Sequence, residues 1–528
     1  MQLIFLPLFF LTAAAAALFT RARRRSLKRL HGPPSTSWLL GHEWDMSRLR
    51  KVGSLEDSWF NRYGTAFRVA GCFGEDLLLV ADPRALQHIF HKSAYRYKKP
   101  KDLERLFMKI FGPGVLTANG EVHQRQRKIL NPAFSAAQIR PFAQFFSSST
   151  RLLVSRWRAE IEKSNGSAVV DTTQWLQGMT LDALGETMFE YDFDAMEGKR
   201  DSELRDIIRD LFADTRSPGK YQMLRNVTYR FLPRCVANVI DIKQTKEDVR
   251  FASWLTRSQA VARDLAENKL DTDGEMEKGN HFLSVLARSM STEDPKKTLY
   301  PLEALSQMAL PDTRLFRLNW VLYELSRKPE YQEIVTREIK DLRERTGNEG
   351  PFSATELEGM VHLNAVIKET LRLHPIIPEH LREAAVDDVI PLANPVVDAS
   401  GSELREIPIT KGQRIIASTY HYNRLKQVWG EDAEEWKPER FLTNTKPTTL
   451  GVLGNLMTFG GGVRACLGWR FALLELQVVT AALVESFVFA IPKGVEIDQV
   501  RFAVTTPVVR GNWNARAQLP LNISVRQV

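Results

Sequence analysis

Hydrophobic residues recur at three- and four-residue steps through much of the chain, and this periodicity predicts amphipathic helices. The longest helical region extends from Glu121 to about Asp273. Pro329 and Gly347 bracket a further helix, because proline is favoured in the first helical turn and glycine just past the last one. Other helices are predicted at residues 55–63, from Pro83, at 360–374 and, strongly apolar, at 467–489.

The β-rich runs are short. Residues 67–70 and 77–80 surround a glycine-containing turn and predict a hairpin. The remaining strand predictions are residues 407–409 and 414–418, and a last hairpin formed by 504–509 with 519–525. The sequence therefore predicts a mainly α fold with small β-sheets.

The N-terminal residues differ in composition from the rest. Residues 2–20 contain no charge, and as a helix they would extend roughly 27–29 Å, close to the thickness of a bilayer core. A cleaved signal peptide is the alternative, but signal peptides have their positive charges before the apolar run, and here they follow it. We predict a membrane anchor at 1–20, a basic and proline-rich linker at 21–40, and one catalytic domain at 41–528.

The formal charge of the chain is +9 at pH 7. Six of these charges lie in one stretch, formed by Arg21, Arg23, Arg24, Arg25, Lys28 and Arg29. Because the basicity is local, it favours a membrane surface as a partner and keeps the following chain in the cytosol. The sequence contains no motif spacing typical of nucleic-acid binding, so no nucleic-acid partner is expected.

The chain has three cysteines, Cys72, Cys235 and Cys466, too few for a disulfide framework. Cys466 lies in the run FGGGVRACLG at residues 459–468. A cysteine between a glycine-rich loop and a helix start is well placed to be a thiolate, because free backbone N–H groups lower the pKa of a thiol. Arg464 could pair with a carboxylate of a bound group. The alternative is a buried structural cysteine after a turn.

With its spacing Phe-x-x-Gly-x-Arg-x-Cys-x-Gly, this run resembles the haem-binding motif of the cytochrome P450 family, in its membrane-anchored, microsomal, fungal-like form. The resemblance implies haem b as the cofactor, with Cys466 as the axial ligand of its iron. It also implies that the haem lies between a distal and a proximal helix. Cofactor contacts carried over by position are His123, Arg127, Arg382, Phe459, Arg464 and Cys466. His123 stands where the family has tryptophan, and it can still donate a hydrogen bond.

The family's structural triad has matching residues here. Glu369 and Arg372 are three residues apart on a predicted helix and can pair on one face. Arg440, in a Pro-x-Arg run, matches the third member. A Glu-x-x-Arg pair alone is usually a solvated surface pair, so its order before His374-Pro375 and the cysteine motif is what makes it informative.

The oxygen-activating motif departs from the family. Asp312 and Thr313 keep the acid and the hydroxyl of a proton relay, and these are the catalytic candidates. Leu310 replaces a flexible glycine, Pro311 would kink the helix, and Arg314 replaces a small polar residue. Three explanations compete: an unusual distal pocket, an inactive enzyme, or a misread exon boundary.

The resemblance implies a monooxygenase that hydroxylates or oxidises a lipophilic small molecule, such as a terpenoid or other secondary metabolite, using O2. The chain contains no flavin or nicotinamide fingerprint, so electrons are expected from NADPH-cytochrome P450 reductase, with cytochrome b5 as a second donor. A single-pass location on the endoplasmic reticulum membrane is expected. The alternatives are a haem-thiolate isomerase or dehydratase, and a catalytically impaired haem-binding homologue.

Overall fold

A computed structural model describes the protein. The residues that it describes are 27–35, 37–48, 51–197, 219–232, 238, 244–272, 282–292, 294–308, 314–443, 450–501, 504–513 and 516–527. The predicted anchor at 1–20, most of the basic cluster, Cys235, and the motif residues Asp312 and Thr313 lie outside these ranges. In the described part, no helix is both long enough and apolar enough to cross a membrane.

Helices make up most of the structure. They are α1 (Gly41–Arg48), α2 (Glu56–Tyr63), α3 (Pro83–Gln87), α4 (Lys101–Phe111), α5 (Gly120–Leu130), α6 (Ala136–Ile139), α7 (Ala143–Lys163), α8 (Thr172–Leu184), α9 (Lys220–Thr228), α10 (Lys246–Thr272), α11 (Phe282–Ser291), α12 (Pro301–Met308), α13 (Arg314–Arg327), α14 (Pro329–Thr346), α15 (Ala354–Gly359), α16 (Val361–Leu373), α17 (Thr419–Tyr422), α18 (Lys426–Trp429) and α19 (Trp469–Ser486).

The strands in the described ranges form four small sheets. They are β1 (Ala66–Ala70), β2 (Asp76–Val80), β3 (Tyr97–Lys98), β4 (Ser167–Asp171), β5 (Glu379–Ala384), β6 (Asp388–Val397), β7 (Glu403–Ile409), β8 (Arg414–Ser418), β9 (Phe487–Ala490), β10 (Ile497–Arg501), β11 (Thr505–Val509) and β12 (Pro520–Val525). The largest sheet has the order β1-β2-β8-β5-β3, and only its β2–β8 pair is parallel. The others are β4-β12-β9, β10-β11 and β6-β7.

The core lies around α19, whose side chains are buried on almost every turn. Phe471 of α19 packs edge-on against Phe146 of α7 at a centroid distance of 4.9 Å. α13 and α16 contribute further apolar side chains to the same core. Burial of this kind explains why a helix so rich in apolar residues belongs to the interior of the protein.

Several local predictions are confirmed. β1 and β2 form the predicted antiparallel hairpin. Pro83 opens α3, and the Asp82 side chain accepts hydrogen bonds from the backbone of Arg84 and Ala85. Gly347 ends α14 in the left-handed conformation, with φ of 63°. The mainly α fold class is confirmed as well.

Two predictions at the C-terminal end are wrong. The segments 504–509 and 519–525 do not form a hairpin together, because β11 pairs with β10 while β12 pairs with β9 and β4. The apolar run at 467–489 is a helix only over α19, and its last residues form β9. Both errors arise from partners that are distant in sequence, which local patterns do not identify.

Candidate active site

The Cys466 loop, residues 459–466, is a tight turn closed by backbone hydrogen bonds. The Cys466 N–H donates to the carbonyl of Phe459 at 2.7 Å, and the Ala465 N–H donates to that of Gly462 at 3.1 Å. α19 begins only three residues after Cys466. This short turn holds the Cys466 sulfur just before the N-terminus of the buried helix α19.

The two described cysteines differ in environment. Cys72 is buried, its thiol donates to the carbonyl of Leu40 at 3.1 Å, and burial followed by the charge of Glu43 raises its pKa. Cys466 is exposed. Cys72 is therefore an inert core residue, and Cys466 is accessible to a metal.

The glycines of the Cys466 loop have a packing role as well as a conformational one. Gly460 and Gly462 have φ of 69° and 60°, in the left-handed region. A Cβ at Gly462 would lie 1.8 Å from the carbonyl oxygen of Phe90. Close contact with the Phe90 segment thus requires glycine at this position, a reason that the motif alone does not reveal.

Helix α5 presents two of the predicted cofactor contacts towards this loop. His123 and Arg127 are four residues apart and share a face. Arg127 Nη1 donates to the carbonyl of Ala465, so α5 is bonded directly to the Cys466 loop. His123 is buried, and its Nδ1 lies 3.1 Å from the hydroxyl of Tyr95. Sequence reasoning missed Tyr95.

Arg382 and Arg464 approach the same place from β5 and from the Cys466 loop itself. Arg382 is buried and donates to the carbonyl of Leu381 at 2.8 Å. Arg464 donates to Ala118 and Asn119 at 3.2 and 3.0 Å, and its Nε atom has no partner. The structure thus brings together the residues that the motifs placed far apart in the chain.

Electrostatics show that these groups repel one another. Burial, and then the surrounding cations, lower the pKa of His123 to about 3. Burial and then Arg464 lower the pKa of Arg382 to about 9. Lys99, which sequence reasoning also missed, has a pKa lowered to about 6 by burial and then by Arg464 and Arg382. We call Lys99, Arg127, Arg382 and Arg464 the cation cluster.

The cation cluster fits a ligand with carboxylates. Across the described residues, no Asp or Glu side chain lies within ion-pair distance of any of its four members. Buried charges are ordinarily paired, so an uncompensated group of this kind indicates a missing anionic partner. Haem has two propionates, and its iron accepts a thiolate such as that of Cys466. The residues present therefore fit haem.

Below this site, Glu369, Arg372 and Arg440 form a second charged group, the Glu369 triad. Both oxygens of Glu369 accept hydrogen bonds from Arg372, each at 2.8 Å, and both side chains are fully buried. Arg440 Nε lies 3.4 Å from the same carboxylate. Arg372 also donates to the backbone carbonyls of Asn423, Ala433 and Glu435. The triad fixes the path of residues 423–435.

Asn423 connects the Glu369 triad to the Cys466 loop, and no motif indicated it. Its amide nitrogen donates to Thr458 Oγ1 at 3.0 Å, and its oxygen accepts from the Met457 N–H at 3.2 Å. Thr458 Oγ1 donates in turn to the carbonyl of Leu371 at 2.6 Å. Fully buried Asn423 therefore positions the residues immediately before Phe459.

The other side of the site contains α13 and α4. Arg317 of α13 is buried, with its guanidinium 4.6 Å from the centre of the Phe459 ring. On α4, Ile110 and Phe111 pack against Phe251 and Trp254 of α10. These four side chains form a small apolar cluster between the two helices.

Geometry and charge together define a haem-thiolate site. A model of the cytochrome P450 family matches residues 31–512. Cytochrome P450 monooxygenase 205 of Postia placenta is 33% identical over 521 residues, covering 94% of this chain and 92% of its own. Cytochrome P450 monooxygenase claP of Ampulloclitocybe clavipes is 30% identical over 537 residues, covering 98% and 97%. The chain belongs to the cytochrome P450 family, as a monooxygenase with thiolate-ligated haem iron.

Proposed function

We propose that this protein hydroxylates or otherwise oxidises a lipophilic small molecule of secondary metabolism, with electrons from NADPH-cytochrome P450 reductase. The main support is the exposed sulfur of Cys466 next to the cation cluster. The relatives named above are called monooxygenases, and the chain matches them over nearly its whole length. The reaction converts O2, two electrons, two protons and a C–H bond into an alcohol and water.

Haem, when bound, supplies the site at which dioxygen is reduced. In this proposal the Cys466 sulfur ligates the iron, and His123, Arg127, Arg382 and Arg464 hold the propionates. Phe459 would contact the haem, which would lie between a distal and a proximal helix. The Glu369 triad acts on structure only, because it has its own counter-charges and reaches the Cys466 loop through Asn423.

Asp312 and Thr313 are proposed to deliver protons, from the carboxyl group and the hydroxyl group respectively. Both residues precede α13. Thr313→Val should raise the share of reducing equivalents lost as peroxide, measured as peroxide formed per NADPH consumed. Leu310→Gly should increase product formed per NADPH if the leucine side chain hinders oxygen access. An unchanged ratio in Leu310→Gly would dismiss that hindrance.

We propose single-pass anchoring on the endoplasmic reticulum by residues 1–20, with a linker at 21–40 and the catalytic domain at 41–528 in the cytosol. The absence of charge at 2–20 and the basic residues after it support this arrangement. Reductase, and cytochrome b5 as a second donor, would then share the membrane. Deletion of residues 1–25 should release the protein from microsomes, and retention in the pellet would contradict the anchor.

A haem-thiolate isomerase or an impaired homologue is the second candidate, favoured by Leu310 and Pro311 in the oxygen-activating motif. A reduced carbon monoxide difference spectrum tests the haem site, and the thiolate band should vanish in Cys466→Ala. Product formation with and without reductase and NADPH then separates the reactions. Turnover of a peroxide substrate without either would establish the isomerase in place of our proposal.

A further inference from the structure

Two further basic side chains, Lys99 and His380, lie at the cation cluster. In the sequence His380 is only a weak candidate beside Arg382, and Lys99 is not indicated. Lys99 is 7% exposed, and no described hydrogen-bond acceptor or carboxylate contacts its ammonium group. The Nε2 atom of His380 is shielded from solvent and has no hydrogen-bond partner. A buried ammonium group and a buried ring nitrogen without partners are both costly in an isolated protein.

Strand pairing explains where Lys99 lies. In the antiparallel pair of β3 and β5, Tyr97 is opposite Ala384 and Lys98 is opposite Glu383. One step beyond the end of β3, this register would bring Lys99 opposite Arg382, and the charge of Arg382 is one of the causes that lower the pKa of Lys99. Like charges that face each other across a strand pair are destabilising, so this position calls for an anion.

Lys98 gives the opposite case one residue earlier. Its Nζ lies 3.3 Å from Glu383, and its side chain is 34% exposed. Among the described residues, a carboxylate contacts the partly exposed Lys98 and none contacts the buried Lys99. Because the two residues are adjacent, Lys98 is a matched control for Lys99.

His380 lies two residues before Arg382 on β5, and alternation along a strand puts both on one face. Burial, then Arg382 and Lys99, lower the pKa of His380 to about 3, so its ring is neutral and can donate one hydrogen bond. His421 is the contrasting case. Its ring nitrogens lie 2.8 Å from Ser418 Oγ and 3.0 Å from Asp57, which satisfies both.

We propose that Lys99 and His380 bind the haem carboxylates, Lys99 as a charge partner and His380 as a neutral hydrogen-bond donor. The inference rests on the haem site of the proposed function. With Lys99, four cations face two propionates, so positive charge remains in surplus beside the haem. A surplus of this sign stabilises the form with one more electron, and it therefore raises the reduction potential of the iron.

The first experiment measures haem release from the purified holoprotein to excess apomyoglobin. Lys99→Met should release haem about ten- to a hundred-fold faster, the size expected for one charge-assisted hydrogen bond. Lys98→Met and Lys99→Arg should both release haem at the slow rate of the wild type. Equal rates for Lys99→Met and Lys98→Met would overturn the role of Lys99.

The second experiment measures the reduction potential, which a purely structural role of Lys99 would not move in a fixed direction. Lys99→Met should lower the reduction potential, and Lys99→Arg should leave it unchanged.

Haem release also tests His380. His380→Leu should release haem several-fold faster than the wild type, whereas His380→Gln, which retains a hydrogen-bond donor, should release it at the wild-type rate. His421→Leu, its control, should leave haem release unchanged, and an equal acceleration in both leucine variants would overturn the role of His380.

Failure of this inference and failure of the proposed function give different results. If the wild type shows no thiolate band with carbon monoxide, the haem site itself is wrong. If the wild type shows the band and Lys99→Met equals Lys98→Met in both haem release and potential, only the inference fails.

Discussion

The Glu369 triad and the cation cluster both hold arginine side chains away from solvent, but only the triad includes its own carboxylate. Glu369 contacts Arg372 at 2.8 Å and Arg440 at 3.4 Å. In the cation cluster, Arg382 has a neighbouring cation, Arg464, and its pKa falls to about 9. The first region is complete in the polypeptide, and we propose that a ligand completes the second.

The same contrast occurs within a single helix. On α5, Arg125 pairs with Glu303 at 2.7 Å and donates to the carbonyl of Thr298. Arg127, two residues later, contacts the Cys466 loop and no described carboxylate. Two residues correspond to about 200° around the helix axis, so Arg125 and Arg127 point in nearly opposite directions. Arg125 therefore has a structural role, and Arg127 is the proposed cofactor ligand. Charge balance around a buried group therefore distinguishes the two roles better than residue type does.

The largest effect should follow from breaking the triad. Glu369→Gln leaves Arg372 buried without a counter-charge, which costs about 3–5 kcal/mol in the free energy of unfolding. The loss should occur with and without haem, because the triad is independent of the cofactor. Urea unfolding of both forms measures it. A loss confined to the haem-bound form would contradict the structural role.

Arg382→Met should not destabilise the haem-free protein, in contrast to Glu369→Gln. The change removes a repelling buried charge, so the stability of the haem-free protein should stay equal or rise. Haem affinity should fall about ten- to a hundred-fold, because one charge-assisted bond to a carboxylate is lost. Urea unfolding of the haem-free protein and haem titration measure the two effects. Destabilisation of the haem-free protein would place Arg382 with the triad.

The comparison also predicts a pH dependence. The folded-state pKa of Lys99 is about 6, below its ordinary 10.5. Between these values the unfolded chain binds more protons, so the stability of the haem-free protein should rise as pH rises. Lys99→Met should flatten this slope between pH 6.5 and 9, and Lys98→Met should not. Urea midpoints across that range provide the measurement.

The smallest effect is expected at an exposed ion pair. Arg140 and Glu358 contact each other at 2.9 Å, with side chains 53% and 50% exposed. Arg140→Gln should change the free energy of unfolding by less than about 1 kcal/mol, because solvent screens such pairs. The same urea experiments measure it. A loss as large as that of Glu369→Gln would show that burial does not control these energies.

Much of the site followed from local spacing. The Cys466 run, the Glu369–Arg372 pair and the His123–Arg127 pair each lie within ten residues, so their geometry depends on one turn or one helix. Pro83 and Gly347 likewise gave helix ends that the structure confirms. Contacts between residues close in sequence depend on the geometry of one turn or helix, which the residue spacing predicts.

The sequence by itself determined the family and the mainly α fold, and it gave Cys466 as the proposed thiolate ligand. Only the tertiary structure decided which basic residues have no carboxylate partner among the described residues: Lys99 but not Lys98, His380 but not His421, and Arg127 but not Arg125. It also decided that β12 pairs with the distant strand β4, in a register that places Pro520 opposite Asp171. Burial and charge pairing depend on segments that folding brings together, and no local pattern contains that information.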